Sequence, residues 1–258
     1  MAYRKGDPVL TYTRGFIPFA VVFTAILCLV RVLDWLFYRL RVEGRENLPR
    51  GGAILVSNHT LLFDPGIIAH AIRPRRTYFT MLEETALIPW LGTFVRLLGA
   101  VPIPERHDSL RVLDAATRTA VRELGFLHVF PEGECFRGSQ QLRPFHPGAF
   151  LLACRLSLPV IPVTTVLKER LWRGRPYLRI LGRRVRVPPR VVIVIGAPVR
   201  PPLTVVPADP AAGSAAMRRA ARGLAEDVRR IMQETIDSHG GCKTMDRGQM
   251  PRLVRRPA

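Results

Sequence analysis

Lysine is almost missing from this 258-residue chain: Lys5, Lys168 and Lys243 are the only three among 39 basic residues, and the rest are Arg. With 23 Pro, that skew reads as readily as GC-rich coding as it does a selected surface. Cysteine is scarce too. Cys28, Cys135, Cys154 and Cys242 lie far apart with no CxxC pair, which excludes a zinc ribbon or a disulfide-dense secreted scaffold and fits free thiols in a reducing compartment. Acidic residues number only 20, so the formal net charge is +19. Such an excess attracts polyanions: nucleic acid, an anionic bilayer or phosphorylated ligands. Zinc-finger spacings, basic zippers and aromatic RNA-binding motifs are all lacking, which argues against nucleic acid. His70, the adjacent His107 and Asp108, and His128 show no metal-ligand spacing, so each reads as a surface or locally satisfied residue and no metal is expected. There is no fixed-period repeat and no long low-complexity linker. The apolar fraction of 48% is too high for a disordered chain, and this length can bury a proper core.

The longest uncharged run, residues 15–30, has sixteen residues. As a helix it would cover about 24 Å, short of the roughly 30 Å hydrocarbon core of a bilayer. Arg31 can snorkel, whereas Asp34 suits a helix that dips into one leaflet. Trp35, Tyr38, Arg39 and Arg41 are residue types that settle at the membrane interface. No small-residue cleavage site follows the run. Residues 1–41 are therefore read as a membrane-anchoring helical segment.

Beyond residue 51, short β-rich runs alternate with helical ones. Strands are predicted over 53–56, 77–81, 127–130, 160–165, 177–181 and 191–195. Residues 109–124 carry a helical apolar stripe, and 146–156 and 215–236 also read as helices. This alternation predicts an α/β layered domain, a central mixed sheet flanked by helices. Residues 241–258 form a basic tail, expected to be flexible. Residues 168–190 hold nine basic residues and one acidic, Glu169. They suit either a solvated, charge-protected edge or contact with anionic headgroups.

Two clusters could carry chemistry. Asn58-His59 and Asp64 follow the first strand directly. Residues five apart on a regular helix diverge by about 140°, so His59 and Asp64 meet only if strand gives way to helix between them. The carboxylate would then fix the imidazole tautomer and leave the other nitrogen free to take a proton from a hydroxyl. Separate capping of the next helix is the competing reading. Downstream, Pro131-Glu132-Gly133 ends another strand, presenting Glu132 at its exit.

The ordered set Asn58-His59-x4-Asp64, Phe130-Pro131-Glu132-Gly133, Pro144-Phe145-x-x-Gly148-Ala149-Phe150 and Leu158-Pro159-Val160-Ile161-Pro162-Val163 resembles the lysophospholipid acyltransferase family, typified by the 1-acylglycerol-3-phosphate acyltransferases. The likeness covers roughly residues 42–200. It implies an acyltransferase domain over 42–240 behind a membrane-associated helical motif on the cytoplasmic face. It also implies His59 as general base, Asp64 orienting it, and direct attack on acyl-CoA or acyl-carrier protein as co-substrate, without a cofactor. Asn58, Glu132, Gly133, Arg106 and Arg137 are carried over as substrate-binding positions, Arg106 for the acceptor phosphate. The chain departs from the pattern at Leu61, where the family has Ser, in one extra residue before Arg106, and at Glu134-Cys135-Phe136-Arg137, where it has Thr-Arg-Ser. Glu134 would repel a phosphate and Arg137 would restore positive charge. Alternatives to a lysophospholipid acceptor therefore stay open: glycerol 3-phosphate, an aminolipid, a glycolipid, or a lipid-binding relative without turnover.

Overall fold

Four apolar runs, Ala53–Ser57, Phe126–Val129, Val160–Lys168 and Arg190–Ile195, lack the polar alternation of a half-wet strand, and each lies within one sheet with helices or loops on its faces. The computed structural model describes residues 39–92, 99–104, 109–123, 125–170, 173–175, 177–202, 210–243 and 246–249, with residues 32 and 95. In chain order the elements are β1 (Arg41–Glu43), a 3-10 turn (Arg45–Asn47), β2 (Ala53–Ser57), α1 (Asp64–Ala71), β3 (Thr77–Leu82), α2 (Glu83–Leu87) and β4 (Ala100–Ile103). Then follow α3 (Ser109–Arg122), β5 (Phe126–Val129), α4 (Gly148–Leu156), β6 (Val160–Lys168), β7 (Tyr177–Ile180), β8 (Arg183–Arg186), β9 (Arg190–Ile195) and α5 (Pro210–Ser238).

Seven strands form one mixed sheet in the order β1-β9-β6-β2-β5-β3-β4, and β7-β8 form a separate hairpin. β6, β2, β5, β3 and β4 run parallel, while β9 lies antiparallel to β6 and pairs in parallel with β1. The predicted mixed sheet flanked by helices is what forms. β1 and β4 went unpredicted because one has three residues and the other carries Pro102, which an edge strand tolerates. α1 is the helix that the His59–Asp64 spacing required, whereas the short α2 went unpredicted.

The two faces of the sheet bury different clusters. On one, Ile54, Val56, Leu127 and Val160 meet Leu113, Ala116 and Ala120 of α3, Phe150 and Ala153 of α4, and Leu224, Val228, Met232 and Ile236 of α5. The spacing in α5 is the three-and-four recurrence of a helix with one apolar stripe. On the other face, Leu55, Phe126 and Ile161 pack with Ile67, Ile68 and Ala71 of α1. Gly44 closes the turn after β1 with φ 77°, and a Cβ there would sit 2.0 Å from the Ile195 carbonyl oxygen, so only glycine lets the chain pass.

The predicted anchor, residues 1–41, lies outside the described residues apart from Val32 and 39–41, and so does Arg106. Among the described residues no helix is long and apolar enough to cross a membrane. From the tail, Cys242 N–H donates to Leu167 O, Gly248 O accepts Arg137 N–H and Arg247 N–H donates to Arg137 O.

Phe150 is fully buried and stacks on Phe145 with ring centroids 6.1 Å apart. Phe150→Ala should cost about 3–5 kcal/mol in urea denaturation. Leu110→Ala, at a surface position of α3, should stay within roughly 0.5 kcal/mol.

Candidate active site

β2 and β5 are neighbours in parallel, with Val56 opposite Val129, so both chains leave the sheet at the same edge. The motifs that follow them, about seventy residues apart, meet there. In open α/β sheets this carboxyl edge is where ligands bind.

After β2 the chain makes a tight loop into α1, the change from strand to helix that the His59–Asp64 spacing required. Asp64 is the first residue of α1, and the loop wraps around its carboxylate: Oδ2 accepts Thr60 N–H and Leu61 N–H, both at 2.7 Å, and lies 3.0 Å from His59 Nδ1. Asp64 is completely buried, while the His59 side chain keeps 20% of its surface exposed. Nδ1 is thus committed to Asp64, and Nε2 is the nitrogen left to exchange a proton with a ligand. The imidazole stacks on Phe130, with centroids 4.1 Å apart and planes 19° from parallel.

His128, read as a surface or locally satisfied residue, is fully buried beneath this stack. Its ring meets Phe130 edge-on at 4.5 Å, and its Nε2 lies 2.7 Å from Ser57 Oγ. Burial, with the charge of His59, lowers its pKa to about 3, so it is a neutral wedge that fixes Phe130 and through it His59. Its place inside a buried strand was the available signal.

His59 behaves oppositely. Burial lowers its pKa, but the hydrogen bond and charge of Asp64, together with contact with the Cys135 thiol, outweigh it and raise the value to about 9. Cys135 is therefore close enough to the imidazole to favour its charged form. The Phe136 N–H donates to His59 O at 2.9 Å, holding that loop across the motif.

Two residues expected to contact substrate are hydrogen-bonded within the fold. The Asn58 amide donates to Thr165 O at 2.9 Å and its carbonyl accepts Thr165 N–H at 2.8 Å, extending the β2–β6 ladder by a side chain. Buried and doubly bonded, Asn58 fixes the strand end. Glu132, also buried, accepts His59 N–H at 3.3 Å on one oxygen and Arg143 N–H at 3.2 Å on the other. Burial pushes its pKa up to about 7, against those two donors. It braces the His59 backbone from the neighbouring strand exit. Gly133 has φ 76°, and a Cβ there would come within 3.1 Å of the His146 ring. Gln140 was not foreseen. It accepts Leu167 N–H at 2.8 Å and donates to Thr165 O, pinning the long loop between β5 and α4 to β6.

Beside the motif lies a cavity of about 310 Å³. Leu61, Leu62 and Phe63 line it, and so do Arg137, Arg186 and Arg247. Arg137 was expected near a ligand. The other two come from β8 and the tail, where sequence offers no motif to flag them.

A parallel-edge α/β domain with a His–Asp pair and an arginine-lined cavity beside it has the parts of a group-transfer site. The chain is similar to the acyltransferase family: the family model described as Acyltransferase matches residues 39–166. It is 29% identical over 134 residues to a chloroplastic 1-acyl-sn-glycerol-3-phosphate acyltransferase of Brassica napus, which covers 50% of this chain and 37% of that one. With the 1-acyl-sn-glycerol-3-phosphate acyltransferase of Saccharomyces cerevisiae it shares 28% over 127 residues, 48% of this chain and 42% of the other. The chain thus spans about two fifths of the length of these relatives. The crystal structure of the 1-acyl-sn-glycerophosphate acyltransferase PlsC from Thermotoga maritima superposes with a TM-score of 0.55 at 23% identity, over 88% of this chain and 95% of that one, which shows a shared fold.

The His59 imidazole should titrate near pH 9 by NMR, and both Asp64→Asn and Cys135→Ala should lower that midpoint, since each removes a contact that raises it. Its contribution to stability is fully present below pH 6.5 and is lost as pH rises through about 9; Glu132 acts in the same sense between 4.5 and about 7. Melting temperature should therefore fall on the alkaline side, and less steeply in Cys135→Ala.

Proposed function

We propose that this protein is an O-acyltransferase that moves a fatty acyl group from acyl-CoA or acyl-carrier protein to the hydroxyl of a lysophospholipid of the 1-acylglycerol-3-phosphate type. The observation that carries the reading is the His59 Nδ1–Asp64 Oδ2 pair at a strand exit, with Nε2 left to the ligand. Neutral His59 takes the proton of the acceptor hydroxyl as its oxygen attacks the thioester carbonyl carbon. The C–S bond then breaks and the leaving thiolate recovers a proton from the imidazolium. No enzyme nucleophile is needed, because the thioester is already activated.

With a pKa of about 9, only about one imidazole in a hundred is neutral at pH 7 in the unliganded protein. An acyl chain covering the exposed part of the ring extends the burial that lowers this value, so substrate binding itself favours the base form. Arg137, Arg186 and Arg247 suit a phosphorylated acceptor, since guanidinium grips phosphate oxygens bidentately. Glu134 and Cys135, set where the family has other residues, favour a second reading in which the acceptor is glycerol 3-phosphate, an aminolipid or a glycolipid. The apolar N-terminal run would hold the site at the membrane where such acceptors reside.

Thiol release from acyl-CoA and from acyl-carrier protein, with a panel of these acceptors, tests the reading. His59→Ala should lower the acceptor-dependent rate by about a hundredfold or more, measured at a temperature where a thermal melt shows the variant still folded. Silence of the folded wild type with both donors and every acceptor would sink it. Arg137→Gln should raise KM for a phosphorylated acceptor about tenfold and leave kcat nearly unchanged.

A further inference from the structure

The β7–β8 hairpin stands apart from the seven-stranded sheet. Its register puts Leu178 opposite Val185 and Ile180 opposite Arg183 on one side, and Tyr177 opposite Arg186 and Arg179 opposite Arg184 on the other. One side is therefore mainly apolar and the other mainly basic. Yet the apolar side does not meet the core: Ile180 is 50% exposed and Val185 44%.

The tip is more unusual. Leu181 and Gly182 form the two-residue turn, with φ 48° and 78°. Left-handed backbone at both turn positions suits Asn-Gly, and leucine is a poor choice there. Leu181 is nonetheless 98% exposed, so in water it bears both backbone strain and apolar exposure without any contact in return. That combination points to an apolar medium outside the protein. Charge says which. Glu169, the one acid among residues 168–190, is held at the hairpin root by Arg186 at 3.6 Å. Arg179, Arg183 and Arg184 meet no carboxylate among the described residues.

We propose that this hairpin docks on an anionic phospholipid bilayer, burying Leu181, Ile180 and Val185 among the acyl chains while Arg179, Arg183 and Arg184 lie against the lipid phosphates. The contact is separate from the apolar run at residues 15–30 and does not depend on the acyltransferase reading. It also has a consequence for access. The root residues Arg186, Pro188 and Pro189 line the same cavity as Leu62 and Phe63, which are themselves exposed. Seating the tip brings that cavity to the lipid surface.

The test uses the full chain carrying Leu181→Trp, read as a difference from wild type with its three native tryptophans. Because the N-terminal run can hold the chain on vesicles by itself, cosedimentation is only a control. With vesicles containing phosphatidylglycerol, the added tryptophan should shift to the blue and be quenched by brominated acyl chains. Both effects should weaken at least tenfold in vesicle concentration when Arg179, Arg183 and Arg184 are changed to Gln, or in about 1 M salt, where the screening length falls to about 3 Å. An unchanged spectrum while the chain sediments with vesicles overturns the proposal. So does an equal response to purely zwitterionic vesicles. A shift that grows with protein concentration in the absence of lipid makes a second copy the occupant, and a raised KM for acyl-CoA with lipid contact intact makes the arginines a nucleotide site; either outcome also overturns it.

Discussion

Val56 stands opposite Val129, and in that register β2 and β5 leave the sheet side by side in the same direction. Parallel neighbours cannot be joined by a short hairpin, so more than sixty residues, including β3, β4 and α3, intervene between them. The pairing brings His59 and Asp64 from one exit to Phe130 and Glu132 from the other. Each half stabilises its neighbour. Phe130 is the surface on which the imidazole lies, and Glu132 holds the His59 backbone amide from across the strands. Loss of that register would leave a histidine on one loop and a glutamate on another with no chemistry between them.

Around this pairing, polar side chains take over the work of the sheet where the strands end. Asn58 continues the β2–β6 ladder through Thr165, and Gln140 ties the long loop after β5 to the β6 backbone. These groups are buried, and each would carry a desolvation cost if left unpaired. Their pairing keeps the loops that bear His59 and Cys135 in place without further regular structure. The base is tuned in the same way: a buried carboxylate and a thiol set its proton affinity against the opposing effect of burial.

The acyltransferase family's fold is shared with a protein only 23% identical. At the margins of the site, Cys135 raises the proton affinity of the imidazole, and Arg186 and Arg247 line the cavity beside it from a hairpin and a tail. The same hairpin ends in an exposed leucine, so the cavity and the proposed lipid contact are joined through a few residues of β8 and the loop that follows it.

Apolar runs and helical stripes in the sequence were enough to specify five of the sheet's seven strands and three helices, because burial imposes a periodicity that local residues must satisfy. The His59–Asp64 pair was legible as well, since its spacing requires a strand-to-helix turn. Other features depended on partners far along the chain. Asn58 and Glu132 read as ligand contacts from their motifs alone, and their partners Thr165, Arg143 and the His59 amide emerge only in the fold. His128 read as incidental until its strand was placed between two aromatic neighbours. Arg247 lay in a tail with no motif, and only pairing with Arg137 brought it to the cavity. Local sequence determines which residues can turn, pair and bury, whereas the register between distant strands decides which polar atoms are already satisfied, and so which remain for a substrate.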